Sequence, residues 1–347
     1  MTDVSDRKTA HVDAVLSGSV DFRTKKSGFE TMHFVHEALP ELDLAEINLF
    51  TTFLGKRLAA PFLISSMTGG PTRAEKINTN LAVAAEGLGL AFAVGSQRVA
   101  LMGEGRGGLG SGLRKHAPSI PIYANLGAVQ LVSGFGVGEL QRAIDMIEAD
   151  ALILHLNPLQ EALQTGGNSD WRGVEAAIES ACKAIDMPII VKEVGFGISP
   201  ATARRLVNCG VAAIDVAGAG GTSWAAVEGA VAPTARLVSL AETFRDWGLP
   251  TATAIAGVRE ALPNLPLIGS GGLRDGLDAA KAIRLGANLV AQAGAVLGKA
   301  IEGPEAVIAH FETMIAALRL VCFATGSQNL TELQKARIIE TPSASNR

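Results

Sequence analysis

Residues 151–161 read ALILHLNPLQE, and this stretch decides the fold. It begins with four apolar residues, Ala151 to Leu154, and then turns polar around Pro158. A short apolar run bounded by a proline turn is typical of a buried parallel strand. The polar part carries an imidazole, two amides and a carboxylate: His155, Asn157, Gln160 and Glu161. Because α/β barrels place their chemistry at the carboxyl ends of parallel strands, the stretch predicts one edge of an active site.

Seven further strand-like runs repeat this pattern along the chain. The eight runs begin near Pro61, Ala91, Ile120, Ala151, Met187, Ala212, Leu265 and Ala287. Ala-rich segments with helical spacing separate them, the last at residues 303–325, and strands that alternate with helices indicate parallel βαβ units. Eight such units, with glycine or polar residues after nearly every strand, favour an α/β fold of the closed (β/α)8 TIM barrel type. An open doubly wound sheet is the alternative.

The barrel is predicted to occupy residues 56–328, with segments of different character at both ends. Residues 1–55 look irregular, and we expect an N-terminal arm that contributes to the substrate site. Two basic residues of this arm, Arg7 and Lys8, suit the clamping of an anionic ligand, although a solvated terminus is the simpler interpretation. Residues 329–347 are predicted to be a frayed C-terminal tail.

Composition restricts the class of protein and its compartment. The chain has 347 residues, 48% of them hydrophobic, and a formal net charge of −4, so no basic field for nucleic acid is visible. Its three cysteines lack metal-binding spacing, which favours a reducing compartment over a disulfide framework or a zinc site. The N-terminus does not resemble a signal peptide, and no apolar run approaches the roughly 20 residues of a membrane span. We therefore expect a cytoplasmic protein without nucleic-acid or membrane partners.

One glycine-rich segment, GRGGLG at residues 105–110, is similar to a dinucleotide-binding fingerprint. It follows MGE rather than a strand, and a GxGxxG without a strand–turn–helix context is weak evidence. We interpret it as a flexible loop after the second strand.

The predicted strand ends form a ring whose chemistry suits a phosphorylated cofactor. Two glycine-rich turns, GSGGLRDG from Gly269 and QAG from Gln292, lead into helices whose first amides can hold a phosphate. Lys192 lies near the end of the apolar run IIVKE and must meet an anion or an electron-rich ring, unless it forms a structural ion pair with Glu193 or a neighbour. These features suit flavin mononucleotide (FMN). NAD fits less well, because no acidic residue is placed for its adenine ribose.

Nine motifs are distributed over roughly residues 5–325. They are RKTAH (7–11), SSMTGG (65–70), SQR (96–98), ANLGA (124–128), HLNPLQE (155–161), VKEVGFG (191–197), GAGGTSW (218–224), GSGGLRDGLD (269–278) and AQAG (291–294). Together they resemble the type 2 isopentenyl-diphosphate isomerases. The resemblance implies an FMN- and Mg²⁺-dependent enzyme that interconverts isopentenyl and dimethylallyl diphosphate. It also implies a flavin reduced by NADPH and a homo-oligomer, either a tetramer or an octamer.

The resemblance also implies roles for individual residues. FMN would be held by Ser66, Met67, Thr68, Ser96, Asn125, Lys192, Thr222, Gly271, Gly272, Ala293 and Gly294. The substrate would be bound by Arg7, Lys8, His11, Ser96, Gln97, Arg98, Asn157, Gln160 and Trp224. Glu161 would ligate Mg²⁺, a hard cation that keeps several waters and needs few protein ligands. Gln160, His155 and Asn157 are the candidate catalytic residues.

The residues at the strand ends include no evident cysteine or carboxylate pair that could act as acid and base. This agrees with the family's proposed route, in which the reduced flavin moves the proton. Gln160 cannot titrate, so we expect it to orient or relay, unless it is a structural amide. His155 is equally consistent with a ligand contact and with a structural histidine. Trp224 is predicted to form a wall of the prenyl pocket.

Two other functions stay open on the sequence alone. An FMN-dependent α-hydroxy acid oxidase would need a histidine base and a carboxylate-binding arginine after the sixth strand, where this chain has Ala219 and Thr222. A non-catalytic barrel that binds a phosphorylated ligand would bind no flavin and would have no need for Lys192.

Overall fold

The computed structural model describes residues 4–65, 72–103 and 109–340, with the backbone alone for residues 4–7, 72, 73 and 340. The interpretation of residues 105–108 as part of a flexible loop lies outside the described residues. So does the frayed end predicted for residues 341–347.

Twelve strands are present in the described part of the chain. They are β1 Met32–Phe34, β2 Thr51–Phe53, β3 Lys56–Leu58, β4 Phe62–Ile64, β5 Ala91–Ala93, β6 Ile122–Gly127, β7 Ala151–His155, β8 Ile189–Lys192, β9 Ala213–Asp215, β10 Leu267–Ser270, β11 Leu289–Gln292 and β12 Ile338–Glu340. Strands β4 to β11 close into a barrel of parallel neighbours, with β11 paired to β4. The eight predicted strands are confirmed, and the closure excludes the open sheet.

The described ranges contain fifteen α-helices, and most of them follow a barrel strand. They are α1 Val4–Leu16, α2 Thr72–Leu88, α3 Arg98–Leu101, α4 Gly112–His116, α5 Val137–Ile147, α6 Pro158–Leu163, α7 Val174–Ala184, α8 Pro200–Asn208, α9 Trp224–Ala230, α10 Ala235–Thr243, α11 Thr251–Ala261, α12 Gly276–Arg284, α13 Gly294–Glu302, α14 Pro304–Ala324 and α15 Leu330–Leu333. Short 3-10 helices span Phe29–Thr31, Leu44–Glu46 and Ala128–Val132.

The barrel interior is apolar at its base and polar at its carboxyl end. Inward-facing residues such as Ile153 and Ile190 form one buried cluster, which Phe53 and Leu58 of the β2–β3 hairpin close from below. Strand side chains alternate in direction, so the residues two positions further along face the same way. Those residues are Ser65, Asn125, His155, Lys192, Asp215 and Ser270. The strands therefore end in a polar layer beneath their loops.

Both terminal segments contain more regular structure than the sequence predicts. The N-terminal arm, predicted to be irregular, begins with helix α1, whose Val12 and Val15 pack against the barrel core. The predicted tail contains α15 and β12, and β12 pairs antiparallel with β1. A short helix and an edge strand gain most of their stability from such packing, so local sequence patterns reveal them poorly.

Helix α14 is the one helix in the described ranges that is long and apolar enough to cross a membrane. Its buried residues recur every three or four positions and pack into the core: Val307, Phe311, Met314, Leu318 and Cys322. This spacing is typical of a helix that presents one face to a protein core. Its bounds agree with the eighth helix predicted at residues 303–325.

Candidate active site

A cavity of about 700 Å³ lies at the carboxyl end of the barrel. The ends of all eight barrel strands and helix α1 contribute to its lining. Most predicted site residues line it: Lys8, His11, Ser96, Arg98, Asn125, His155, Asn157, Gln160, Glu161, Lys192, Thr222, Trp224, Gly271, Gly272, Ala293 and Gly294. The predicted cofactor, substrate and metal residues therefore meet in one cavity.

A few predicted residues are not found in this lining. Ser66, Met67 and Thr68 lie outside the described residues, as does the side chain of Arg7. Gln97 is fully buried behind the cavity wall. Its Nε2 donates to the carbonyl of Ala143 at 2.8 Å, and its Oε1 accepts from the amide of Asn125 at 2.9 Å.

Gln97 therefore does not line the cavity, and this arrangement gives no support to its predicted contact with the substrate. At this turn from strand to helix the chain presents Ser96 and Arg98 to the cavity, and the residue between them points into the protein. Gln97 instead supports the cavity indirectly, because it holds the backbone of Asn125.

Hydrogen bonds between neighbouring strands order the polar layer below the cavity. His155 Nδ1 and Asn125 Oδ1 lie 2.8 Å apart on β7 and β6. Burial and the positive charges of Lys192 and Lys8 lower the pKa of His155 to about 3. The ring is therefore neutral near neutral pH, and an Nδ1–H that donates to Asn125 leaves Nε2 as an acceptor. His155 is thus both a structural partner of Asn125 and part of the cavity wall.

Lys192 is a buried cation beneath the cavity. Its Nζ donates to the backbone carbonyl of Glu193 at 2.6 Å, and in the described part of the chain no carboxylate lies within 4.0 Å of it. The Glu193 carboxylate turns away and accepts from the backbone amides of residues 194–197. The ion pair considered as a structural alternative is therefore not observed. An ammonium group with unused N–H donors suits an anion or an electron-rich ring in the cavity.

Asp215 stands beside Lys192 in the β8–β9 pairing. Burial raises the pKa of its carboxyl group, and the charge of Lys192 opposes that rise. Oδ1 of Asp215 accepts from Ser270 Oγ at 2.5 Å and from the amide of Ala217 at 3.2 Å. Ser270 and Ala217 line the cavity, so Asp215 supports its floor from below.

A carboxylate missed by the sequence analysis, Glu228, joins two predicted residues. Gln160 Nε2 donates to Glu228 Oε1 at 2.9 Å, and His11 Nε2 lies 3.4 Å from the same oxygen. The His11 ring also meets Trp224 edge-on, with centroids 5.6 Å apart. Glu228 lies within the Ala-rich helix α9, away from any strand end, so no motif pointed to it. The residues that follow the strands include no evident acid–base pair, and Glu228 adds a carboxylate that reaches the site through Gln160.

Other polar groups also reach the cavity without a sequence signal. Asp21, from the N-terminal arm, lies beside Thr222, with Oδ1 3.5 Å from its Oγ1. Burial raises the pKa of the Asp21 carboxyl group. The hydrogen bond from Thr222 and the positive charge of Arg245 offset part of this rise. Gln130, from the 3-10 helix after β6, also lines the cavity.

The surroundings of Glu161 fit a hard cation that keeps water ligands. Glu161 Oε1 accepts from Asn157 Nδ2 at 3.2 Å, and Oε2 accepts from the amide of Asn168 at 2.7 Å. Oδ1 of Asn157 is buried and has no hydrogen-bond partner within the described ranges. These ranges hold no group of three or more metal-binding side chains. One carboxylate beside an unpaired amide oxygen fits Mg²⁺, which takes its other ligands from waters and substrate phosphates.

The glycine-rich turns fit a phosphate group. A Cβ on Gly271, which has φ 104°, would lie 2.0 Å from the carbonyl oxygen of Gly218, so only glycine allows this approach. Gly294 begins helix α13, and a Cβ there would lie 3.0 Å from Thr222 Oγ1. Amides at a helix N-terminus have no intrahelical acceptor. Free amides and a nearby hydroxyl are the donors that phosphate sites use.

Known proteins share both the fold and much of the sequence. A family model for FMN-dependent dehydrogenases matches residues 162–340. The mandelate oxidase structure with (S)-2-phenylpropionate has a TM-score of 0.64 at 17% identity, covering 98% of this chain and 99% of that one. A putative lactate oxidase of Pediococcus acidilactici has a TM-score of 0.64 at 16% identity, covering 99% and 95%. At such identities the likeness concerns the fold alone.

Curated relatives are far more similar in sequence. Isopentenyl-diphosphate delta-isomerase of Stutzerimonas stutzeri is 58% identical over 334 residues, 96% of each chain. The isomerase of Xanthobacter autotrophicus is 56% identical over 95% of this chain and 96% of its own. That of Cronobacter sakazakii is 54% identical over 97% of both. Since more than half of the residues are identical across nearly the whole length, the chain belongs to the isopentenyl-diphosphate delta-isomerase family.

Proposed function

We propose that the chain is an FMN-dependent isomerase that interconverts isopentenyl diphosphate and dimethylallyl diphosphate. One observation carries the proposal: a phosphate-fitting turn, the buried Lys192, the Glu161 carboxylate and Gln160, whose amide Glu228 holds, share one cavity. The isomerase relatives and the match to FMN-dependent dehydrogenases support it. Reduced FMN, when bound, supplies an electron-rich ring that can exchange a proton and stabilise positive charge.

The chain offers FMN two kinds of contact. Lys192, Asn125 and Ser96 would meet the ring, and the unused donors of Lys192 would stabilise negative charge on it. The phosphate would be held by Thr222, Gly271, Gly272, Ala293 and Gly294. Ser66, Met67 and Thr68 remain proposed FMN contacts from the family resemblance.

The substrate diphosphate would bind on the side of the cavity near helix α1. Lys8, Arg98 and Ser96 line the cavity, and Arg7 is proposed with them. The N-terminal arm would thus contribute to the substrate site. Glu161 would ligate Mg²⁺, with the Asn157 oxygen close to it, and the ion would offset the charge of the diphosphate. Neutral His155 would accept a hydrogen bond without adding charge.

The alkene end of the substrate would lie toward Gln160 and Trp224. Isomerisation adds a proton at one alkene carbon and removes one from another, through a cation-like intermediate. Gln160 cannot titrate, but its amide is fixed at both ends, by Glu228 and by Asn157, whose Nδ2 donates to its Oε1 at 3.1 Å. Glu228 accepts a hydrogen bond from Gln160 and does not itself line the cavity, so it would exchange a proton with the substrate only through that amide. Trp224 would exclude water from the cation.

We further propose that NADPH reduces the flavin, and that the enzyme is a cytoplasmic tetramer or octamer. These points follow from the family resemblance. The α-hydroxy acid oxidase alternative has less support, because buried Ala219 stands where that family has its histidine base. The test is an anaerobic assay of isopentenyl diphosphate with FMN, Mg²⁺ and NADPH. We expect dimethylallyl diphosphate only after flavin reduction. Turnover with oxidised flavin, or peroxide release with lactate, would refute the proposal.

A further inference from the structure

The two glycine-rich turns that fit a phosphate come from different strands, and a single side chain links them. The last paired residues of β10 and β11 are Ser270 and Ala291. Beyond this pair, one hydrogen bond connects the turns within the described ranges, from Gln292 Nε2 to the carbonyl of Leu273 at 2.9 Å. Leu273 directly follows the Gly271–Gly272 turn, and Gln292 precedes Ala293 and Gly294. The Gln292 amide therefore fixes the spacing of the two turns.

The orientation of the Gln292 amide depends on a histidine outside the cavity. His310, on helix α14, has its Nε2 2.6 Å from Gln292 Oε1. An amide oxygen only accepts, so the histidine must donate from Nε2. Burial and the charge of Lys299 lower the pKa of His310, so the neutral ring carries its proton on Nε2. With its oxygen engaged in this way, the amide directs its NH₂ group to Leu273.

The backbone of Gln292 adds a third connection. Its carbonyl accepts from the amide of Ser65 at 2.8 Å, at the end of β4. Gln292 is 4% exposed, and it lines the cavity together with Ser65 and Leu273. One residue thus joins the ends of β4, β10 and β11.

We propose that His310 is a positioning residue of the cofactor phosphate site. It holds the Gln292 amide in one orientation, and Gln292 holds the Gly271–Gly272 turn at a fixed distance from Gly294. His310 does not line the cavity, so it acts on the cofactor through Gln292. The inference rests on the proposed function, since it concerns FMN as the phosphate ligand.

The test compares FMN dissociation constants of the apo-protein, measured by flavin fluorescence quenching. His310→Ala frees the Gln292 oxygen, so the amide can rotate and lose its donor to Leu273. We expect about five- to tenfold weaker FMN binding, the factor that corresponds to about one hydrogen bond. His310→Gln can donate from a similar position and should restore binding to within about twofold of the wild type. Glu312→Ala, on the exposed side of the same helix, should bind as the wild type does.

The ³¹P resonance of bound FMN gives a readout specific to the phosphate. It should shift in His310→Ala and return in His310→Gln. Equal dissociation constants for His310→Ala and the wild type would overturn the inference, as would a failure of His310→Gln to rescue binding. A wild-type protein that binds no FMN would instead refute the proposed function. If His310→Ala does not fold, Gln292→Met removes the same link and should weaken FMN binding equally.

Discussion

Replacing Glu228 with glutamine keeps the shape of the side chain and removes its charge. The new amide oxygen could still accept from Gln160 Nε2, which now lies 2.9 Å from Glu228 Oε1. The attraction to His11, 3.4 Å away, would weaken. The substitution therefore distinguishes two roles of the Glu228 carboxylate: it either only orients Gln160, or it also exchanges a proton during isomerisation.

The two roles predict different losses of activity. A hydrogen bond to a charged group contributes about 1.5–3 kcal/mol, and a neutral one about 0.5–1.5 kcal/mol. If Glu228 only orients Gln160, the difference of about 1 kcal/mol predicts roughly a fivefold lower kcat. General acid–base catalysis contributes about 10²- to 10⁴-fold. A loss beyond about 100-fold therefore indicates proton exchange, and we expect such a loss.

The assay follows dimethylallyl diphosphate formation under anaerobic conditions with reduced FMN and saturating Mg²⁺. FMN affinity should not change, because Glu228 does not line the phosphate-fitting turns. Glu260→Gln, an exposed carboxylate on helix α11, serves as the matched control. Wild-type activity in Glu228→Gln would refute the reasoning, since the buried carboxylate would then contribute nothing to the reaction.

Three other predictions concern the metal, the flavin and the pH. Glu161→Gln should abolish Mg²⁺-dependent turnover while FMN stays bound; full activity across a Mg²⁺ titration would contradict the metal assignment. Lys192→Met should lower the midpoint potential of bound FMN, because the reduced ring loses the nearby cation. We expect a shift of at least about 30 mV, which is a tenfold change in the equilibrium constant of a two-electron reduction. An unchanged potential would exclude a contact between Lys192 and the ring. The native pKa of His155, about 3, lies below its unfolded value of 6.5. The unfolded state therefore binds more protons, and the free energy of unfolding should fall as the pH drops from about 6.5 toward 3. Urea denaturation at pH 7 and pH 5 measures this, and His155→Gln should show a smaller decline.

The sequence by itself determined the barrel and the edge that carries the chemistry. Strands of a parallel barrel are buried on both faces, so each appears as a short apolar run that can be read locally. The residues directly after these runs must gather at one rim, which is why Lys192, Thr222, Gly272 and Glu161 were expected together. They line one cavity in the structure.

Only the tertiary structure decided which side chains support that rim. Gln97 belongs to a recognised motif, yet its direction depends on the turn between β5 and α3, which no pattern in the sequence specifies. Glu228 meets Gln160 across 68 residues of chain, and His310 meets Gln292 from a different helix. Such contacts depend on how helices pack against the barrel, and an Ala-rich helix or a lone histidine carries no local sign of its partner. A buried strand can be recognised from the apolar composition of a short segment. A side-chain contact between two elements forms only when the chain packs, so the sequence of neither element predicts it.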